Sequence, residues 1–522
     1  MDLFGKDNTF FDFHTALDSC SHKKLGAVFE KENGVIKSVV FRTFVPEKSV
    51  KAVFLTGDFN LWNETHPMQK ITDAGIYQTT IEYTPNLLGT YYKYKITTDN
   101  GDVFYKEDPY GVFFEKYPKT ASVIYTSDFS WTDGSYLENR KKTVEDEKRF
   151  PLNVYELHCG TWKRNDDGSF LSYCDIASEL IPYLKQLGYT HVKLLSVTEH
   201  SSNLETTGFF APTSRYGTPD DFRFFVNEFH KAGLGVIADI DFSQHENISF
   251  VASVLDFWIE EFHLDGICVF GQDEKNAEIF KKTAERFSEK YKDVLLISQS
   301  CNENLCFKRR VNREYPENFI KDKTKDLFPH KKGEIPSISR DTSDVLKDGT
   351  KDMSKLVMTY MTTAFEGKIT FMGSEAANSE KWDFSKPLLW QKLFSEGYGH
   401  LLFMRDLNRL YLSNPVLWDA DGFVPISCEN LESGVFSFAR INDSFSTYKE
   451  LLVVFNTSQN KFEGFVQKLP KKANCTEIFS TNKPLYGATE KDNKENVRCD
   501  DNGFIKIDLQ PYTAYVFEMN SI

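Results

Sequence analysis

The feature that most constrains this chain is a rhythm of hydrophobic segments that changes twice. In the middle, short β-branched runs alternate with helical patterns. The runs are NVYELHCG, HVKLLSV, LGVIADID, LDGICVF, VLLISQS, a weak LCFKRR, PSISRD and KITFMGSE, separated by stretches such as SYCDIASELIPYLKQLG and DDFRFFVNEFHKAG. Strand followed by helix, repeated, implies parallel strands joined by crossovers, and eight such units predict a closed (β/α)8 barrel rather than an open sheet. From Val35 to about Tyr125 the chain reads differently, as short alternating segments (VIKSVVFRTFVP, VKAVFLTGDFNLW, IYQTTIEYT, TYYKYKITT) divided by turn formers such as Asn100-Gly101. That pattern predicts an antiparallel β-sandwich. After about Gly422 it returns in VFSFARI, ELLVVFNTS, GFIKIDL and TAYVFEM, which predicts a second sandwich.

The expected architecture is therefore multidomain, β plus α/β. It has an extension at 1–24, a sandwich at 25–127, a linker at 128–150, a barrel at 151–420 and an all-β domain at 421–522. The linker assignment rests on ENRKKTVEDEKR (138–149), which has no apolar period of its own. A length of 522 residues fits about three domains at roughly 150 residues each. The net charge of -14 argues against a nucleic-acid partner, and 40% hydrophobic residues suffice for large cores. Aromatics at 15% suit sandwich cores and stacking on sugars alike. Nine cysteines without a C-x-x-C pair give neither a zinc pattern nor a disulfide framework, so a reducing, cytoplasmic compartment is expected. No run of 18 apolar residues occurs, so no membrane insertion is expected, and no metal or other cofactor is called for.

The strings VFLTGDFNLWNETHPM, DPYGVFFEKYPKTASVIY, NVYELHCGTWKR, LLSVTEH, TGFFAPTSRYGTPDDFRFFVNEFHKAGLGVIADI and ITFMGSEAANSEKWDF resemble those of glycogen (1,4-α-glucan) branching enzymes, in the family's order. These belong to the α-amylase clan, glycoside hydrolase family 13. The resemblance implies a starch-binding type of carbohydrate module, a catalytic barrel and a C-terminal β-domain. It also implies a retaining α-glucanotransferase, which needs a carboxylate nucleophile and a carboxylic acid/base about 5 Å apart.

Carried onto this sequence, the family pattern breaks at the reacting groups. The nucleophile position on strand four is Phe270, and the arginine two residues before it is Cys268. The acid/base position on strand five is Ser298, an alcohol of far too high a pKa to donate a proton near neutrality. Strand seven keeps the third acid, Asp341, but its preceding histidine is Arg340. Strand three keeps Asp239 with His245 displaced by one, and an expected tyrosine before Thr207 is Leu204. The long excursion after strand three is absent, because few residues separate His245 from strand four.

Other carboxylates near these positions, Asp265, Asp273, Glu274 and Glu303, are out of register and are expected to cap, solvate or neutralise their surroundings. In the N-terminal sandwich, Trp62, Tyr92, Lys93, Tyr94 and Lys95 combine flat rings with donors and are candidates for α-glucan contact, although a core role competes for the aromatics. Trp162, Trp382 and Trp390 are expected to pack at domain joins. Taken together, these features predict a catalytically inactive relative that binds α-glucan or scaffolds a partner enzyme of glycogen metabolism. The competing readings are an active or repurposed transferase and an interaction protein without sugar binding.

Overall fold

The computed structural model describes residues 20–45, 49–145, 150–243, 248–270, 277–299, 309–312, 316, 319, 334–338, 351–378, 380–419, 422–426, 434–441, 449–488 and 496–522. The alternating segments at the start form two facing sheets. One runs in the order Gly26–Glu32, Val35–Phe44, Ile76–Glu82 and Gln69–Lys70; the other pairs Val50–Gly57, Tyr91–Thr98 and Val103–Lys106. Period-two alternation sends Val39, Phe41, Val53, Leu55, Tyr92, Tyr94 and Ile96 into one shared core.

The middle of the chain closes into an eight-stranded parallel barrel. Its strands, in spatial and chain order, are Leu152–Leu157, His191–Leu194, Gly235–Asp241, Gly266–Phe270, Leu295–Ser298, Arg309–Asn312, Glu334–Ile338 and Gly367–Phe371. The sixth strand lies later than LCFKRR, which overlaps it only at Arg309 and Arg310. Inside the barrel Val154, Ile237, Cys268, Ile297, Val311, Ile335 and Ile369 form a compact layer, one from nearly every strand. Outside it the helices present their apolar stripes. Tyr173–Leu187, for example, starts on Ser172, whose hydroxyl accepts from Asp175 N, and stops at Gly188 in the left-handed region. After strand three, the helix Ile248–Phe262 takes fifteen residues of the short connection to strand four, so this barrel lacks a long excursion there.

Part of the 128–150 stretch is helical rather than a bare linker, since Gly134–Glu145 forms a helix. What holds it is polar: Tyr136 and Arg140 reach the buried Asp265. The sandwich docks on the barrel through Tyr110, stacked on Phe210 at 4.8 Å, and through Phe114, which lies where a Cβ on Gly208 would sit 2.5 Å from its ring. At the other end a six-stranded sheet (Phe423–Ile426, Val435–Arg440, Glu450–Asn456, Thr513–Ser521, Ala473–Ser480, Asn496–Val497) faces a two-stranded one, Phe462–Lys468 with Phe504–Leu509. The face of the six-stranded sheet toward the two-stranded one forms the domain's own core, and its opposite face packs on the barrel helices Lys351–Ala364 and Tyr398–Ser413. Among the described residues no helix is long and apolar enough to cross a membrane.

Candidate functional site

Active sites of this architecture sit where the barrel strands end, so the mouth is built from the last residues of each strand. Strand one carries Glu156 one residue before its end, strand two carries Lys193, and strand three carries Asp239 and Asp241. Strand four carries Cys268 and Phe270, and their pairing aligns Asp239 with Cys268 and Asp241 with Phe270. Alternation then decides which side chains enter. Cys268 belongs to the interior layer, so Phe270, two residues on, points to the same side at the rim.

The charged centre of the mouth is Lys193. Its Nζ donates to Glu156 Oε2 and to Asp239 Oδ2, both at 2.9 Å, with all three side chains buried. The Lys193 ammonium also lies 5.8 Å from the centre of the Phe270 ring, within cation–π range. Burial opposes a charged lysine here, but Asp239 and Glu156 outweigh it and raise its pKa above the ordinary value. Burial pushes the Cys268 thiol well up, so it stands as a neutral thiol that accepts a hydrogen bond from Gln299 Nε2 at 3.2 Å.

The candidate residues are distributed unevenly. Asp239, Cys268 and Phe270 come together at the mouth. Ser298 pairs in register with Val269, whereas Ile297 pairs with Cys268 in the interior layer, so the Ser298 side chain turns away from the barrel axis. Gln299, one residue later, takes the inward place. This corrects the expectation that Ser298 faces the cleft. Leu204 sits at the tip of the hairpin between Thr198–His200 and Thr206–Pro212, with φ of 65° in the left-handed region. His245, Asp273, Glu274, Glu303, Arg340 and Asp341 lie outside the described residues.

Asp265 lies at the opposite end of the barrel. Its Oδ1 accepts from Tyr136 Oη and Arg140 Nη1, both at 2.9 Å, and its Oδ2 meets His230 Nε2 at 3.0 Å and the Val236 N–H at 2.7 Å. Burial alone would raise its pKa; His230 and Arg140 outweigh burial and hold the carboxyl below the usual range.

In the sandwich, two of the candidate platforms are core. Tyr92 and Tyr94 are fully buried and donate to Asp108 Oδ2 at 2.7 and 2.9 Å, so neither can stack on a sugar. Burial raises the Asp108 carboxyl to about 6 despite those donors. Trp62 is 39% exposed and fixed by Nε1 donation to Asp58 Oδ1. Lys95 pairs with Glu64 and lies 5.6 Å from the ring of Tyr105, which is 50% exposed. Sequence reasoning missed Tyr105, Glu156, Lys193 and Gln299. Strand alternation pointed to the last three once the register was fixed. Trp162, Trp382 and Trp390 do not mark domain joins: Trp390 Nε1 donates to Trp162 O and Trp382 Nε1 to Thr161 Oγ1, binding the loops after strands one and eight together.

Comparison with known proteins agrees with this architecture. Residues 24–111 match the family described as Carbohydrate-binding module 48 (Isoamylase N-terminal domain), and residues 426–520 match Alpha amylase, C-terminal all-beta domain. The chain is 28% identical to the 1,4-alpha-glucan branching enzyme GlgB of Desulfitobacterium hafniense (strain Y51), over 96% of this chain and 93% of that protein. It is 26% identical to the protein of the same name from Chlamydia pneumoniae, over 99% of this chain and 86% of that one. Among solved structures, a pullulanase from Paenibacillus barengoltzii in complex with maltohexaose and alpha-cyclodextrin superposes with a TM-score of 0.73 at 14% identity. That alignment covers 99% of this chain and 97% of the pullulanase, a likeness of fold.

Proposed function

We propose that this chain, a branching-enzyme-like relative of the α-amylase clan in α-glucan metabolism, binds α-glucan and does not cut or transfer it. The observation that carries the reading is the strand-four rim. Where the family resemblance calls for a carboxylate nucleophile there is Phe270; among the described residues Glu156 and Asp239 are both bonded to Lys193, and Asp241, at the exposed rim, accepts from the Ser243 N–H. A phenyl ring cannot attack an anomeric carbon. A carboxylate pinned by a buried ammonium has one oxygen engaged and its charge neutralised, which suits a structural role better than attack on an anomeric carbon. Neither candidate for the strand-five role, Ser298 or the inward Gln299, has a proton to give near neutral pH.

Glucan binding rests on the exposed rings Trp62 and Tyr105 with Lys93 and Lys95 of the N-terminal sandwich, a surface of flat apolar faces beside hydrogen-bond donors. A scaffold with this equipment can hold polymer for a partner enzyme. Similarity to the named branching enzymes over nearly the full chain favours the alternative, a working transferase, and the two readings part on chemistry alone. Co-sedimentation with glycogen tests the binding half. The wild type is expected in the pellet and Trp62→Ala with Tyr105→Ala largely in the supernatant; wild-type protein that stays in solution would overturn the glucan-binding half of the reading.

A further inference from the structure

The strand Val103–Lys106 lies at one edge of the N-terminal sandwich. It pairs with Tyr91–Thr98 on one side, and among the described residues no strand pairs with its other side. Sheet edges are usually charged, twisted away or covered, because their free N–H and C=O groups are a template for another chain. Here three large apolar residues in a row are open: Val103 is 47%, Phe104 46% and Tyr105 50% exposed. The edge strand of the facing sheet, Gly26–Glu32, instead ends on Glu30, Lys31 and Glu32.

The hairpin turn fixes which backbone groups are free. Thr98 N donates to Asp102 O at 3.0 Å and Asp102 N donates to Thr98 Oγ1 at 3.1 Å, so the Asp102 backbone faces inward. An antiparallel ladder alternates, so Phe104 and Lys106 also bond inward, while Val103 and Tyr105 direct their N–H and C=O outward. Side chains alternate as well. Phe104 and Lys106 stand on the same side as their partners Ile96 and Tyr94, and the exposed Asp102, two residues before Phe104, shares it.

A second copy adding the same strand antiparallel must set outward-bonding residues opposite one another. Centring the pair on Val103 puts Phe104 opposite Asp102, and centring it on Tyr105 puts Phe104 opposite Lys106; both waste the ring. Centring it on Phe104 sets Phe104 against Phe104, Val103 against Tyr105, and Asp102 against Lys106 at both ends. Pleat and charge therefore select one register. We infer that the chain self-associates through this edge, as a two-fold dimer in which the sheet runs from one copy into the other across Phe104. The ring pair and both ion pairs then fall at non-hydrogen-bonded positions, where facing side chains are closest. Strands of four residues cover less than the roughly 1,200 Å² of a stable complex, so the dimer dissociates in the micromolar range. No sugar takes part in the pairing, and the inference stands apart from the reading of the chain as a glucan binder.

Sedimentation velocity of the full chain, without sugar and over a concentration series through the micromolar range, tests the inference. A concentration-dependent dimer is expected. Asp102→Lys and Lys106→Asp each bring like charges together twice, and each is expected to weaken the dimer about tenfold while leaving the melting temperature unchanged. Mixed in equal amounts, the two variants are expected to form a mixed dimer about as tight as the wild type, because every lysine then faces an aspartate. Recovery on mixing is specific to this register. A wild type that stays monomeric throughout the series would overturn the inference. So would a dimer that neither variant weakens, or one that mixing the variants does not recover.

Discussion

At the lower end of the barrel Asp265 meets Tyr136, Arg140, His230 and a backbone N–H, while at the upper end Asp239 meets Lys193, which it shares with Glu156. Both are buried carboxylates on neighbouring strands, and in both places the protein has supplied a cation to neutralise them. The lower cluster is wired to the helix Gly134–Glu145 and to His263 through Asp133, so it ties separate elements together. Among the described residues the upper one ties three adjacent strands, beneath the half-buried ring of Phe270. A carboxylate at a barrel mouth is thus no sign of catalysis by itself. What distinguishes a reacting group is its placement against the substrate, and at the upper end Asp239 is spent on Lys193 while Asp241 accepts from the Ser243 N–H.

The sharpest way to break this comparison is Asp265→Ala. It takes a buried partner from Arg140 and His230, leaving them Asp293 and Asp133 respectively, and the loss is expected to cost about 3 kcal/mol. Denaturant unfolding should show a midpoint shift of that size, with Tyr136 and Arg140 releasing their helix to proteolysis. Lys193→Met ranks next. It strips Glu156 and Asp239 of the cation they share, for a loss of about 3 kcal/mol that adding Glu156→Gln and Asp239→Asn should largely recover, since a neutral triad no longer carries the desolvation cost. A triple variant as weak as the single one would show that the cluster does more than neutralise charge. Phe270→Asp is expected to lower stability by about 1–2 kcal/mol, in the ordinary range for core-edge changes, because Lys193 partly compensates the new charge.

The smallest effect concerns pH. His230 places each ring nitrogen against a carboxylate, Nδ1 at 2.8 Å from Asp133 and Nε2 at 3.0 Å from Asp265, so both nitrogens must donate and the ring is an imidazolium. Burial opposes that charge, but Asp265 and Asp133 prevail and raise its pKa. Its contribution is therefore complete below the unfolded value near 6.5 and fades as pH rises through the higher folded value. The Asp265 carboxyl, held low, contributes above its unfolded value near 3.9 and loses that contribution as pH falls. Consequently His230→Gln should cost more at pH 6 than at pH 9, as measured by urea midpoints; an equal cost at both would show the ring to be neutral.

The order sandwich, barrel, sandwich was legible because each change of period is long and regular. So were seven of the eight strands, while the sixth, without a clear apolar run, was misplaced by several residues. The helix Gly134–Glu145 escaped notice because its docking relies on Tyr136 and Arg140 rather than an apolar stripe. At the mouth, Phe270 and Cys268 follow from residue identity. The inward or outward sense of Ser298 and Gln299 does not, since one residue of register exchanges them. Tyr92 and Tyr94 looked like platforms because alternation marks one face without saying which is wet, and only Asp108, fourteen residues beyond Tyr94, reveals it as the dry one.

The central claim, that strand four brings the Phe270 ring to the place where a nucleophile is required, is tested most directly by incubating purified protein with amylose and reading iodine absorbance and debranched chain length. No fall in absorbance and no new α-1,6 branch are expected, from the wild type or from Phe270→Asp with Ser298→Glu, since the glutamate would point away from the barrel axis. New α-1,6 linkages made by wild-type protein, free of any contaminating transferase, would contradict it.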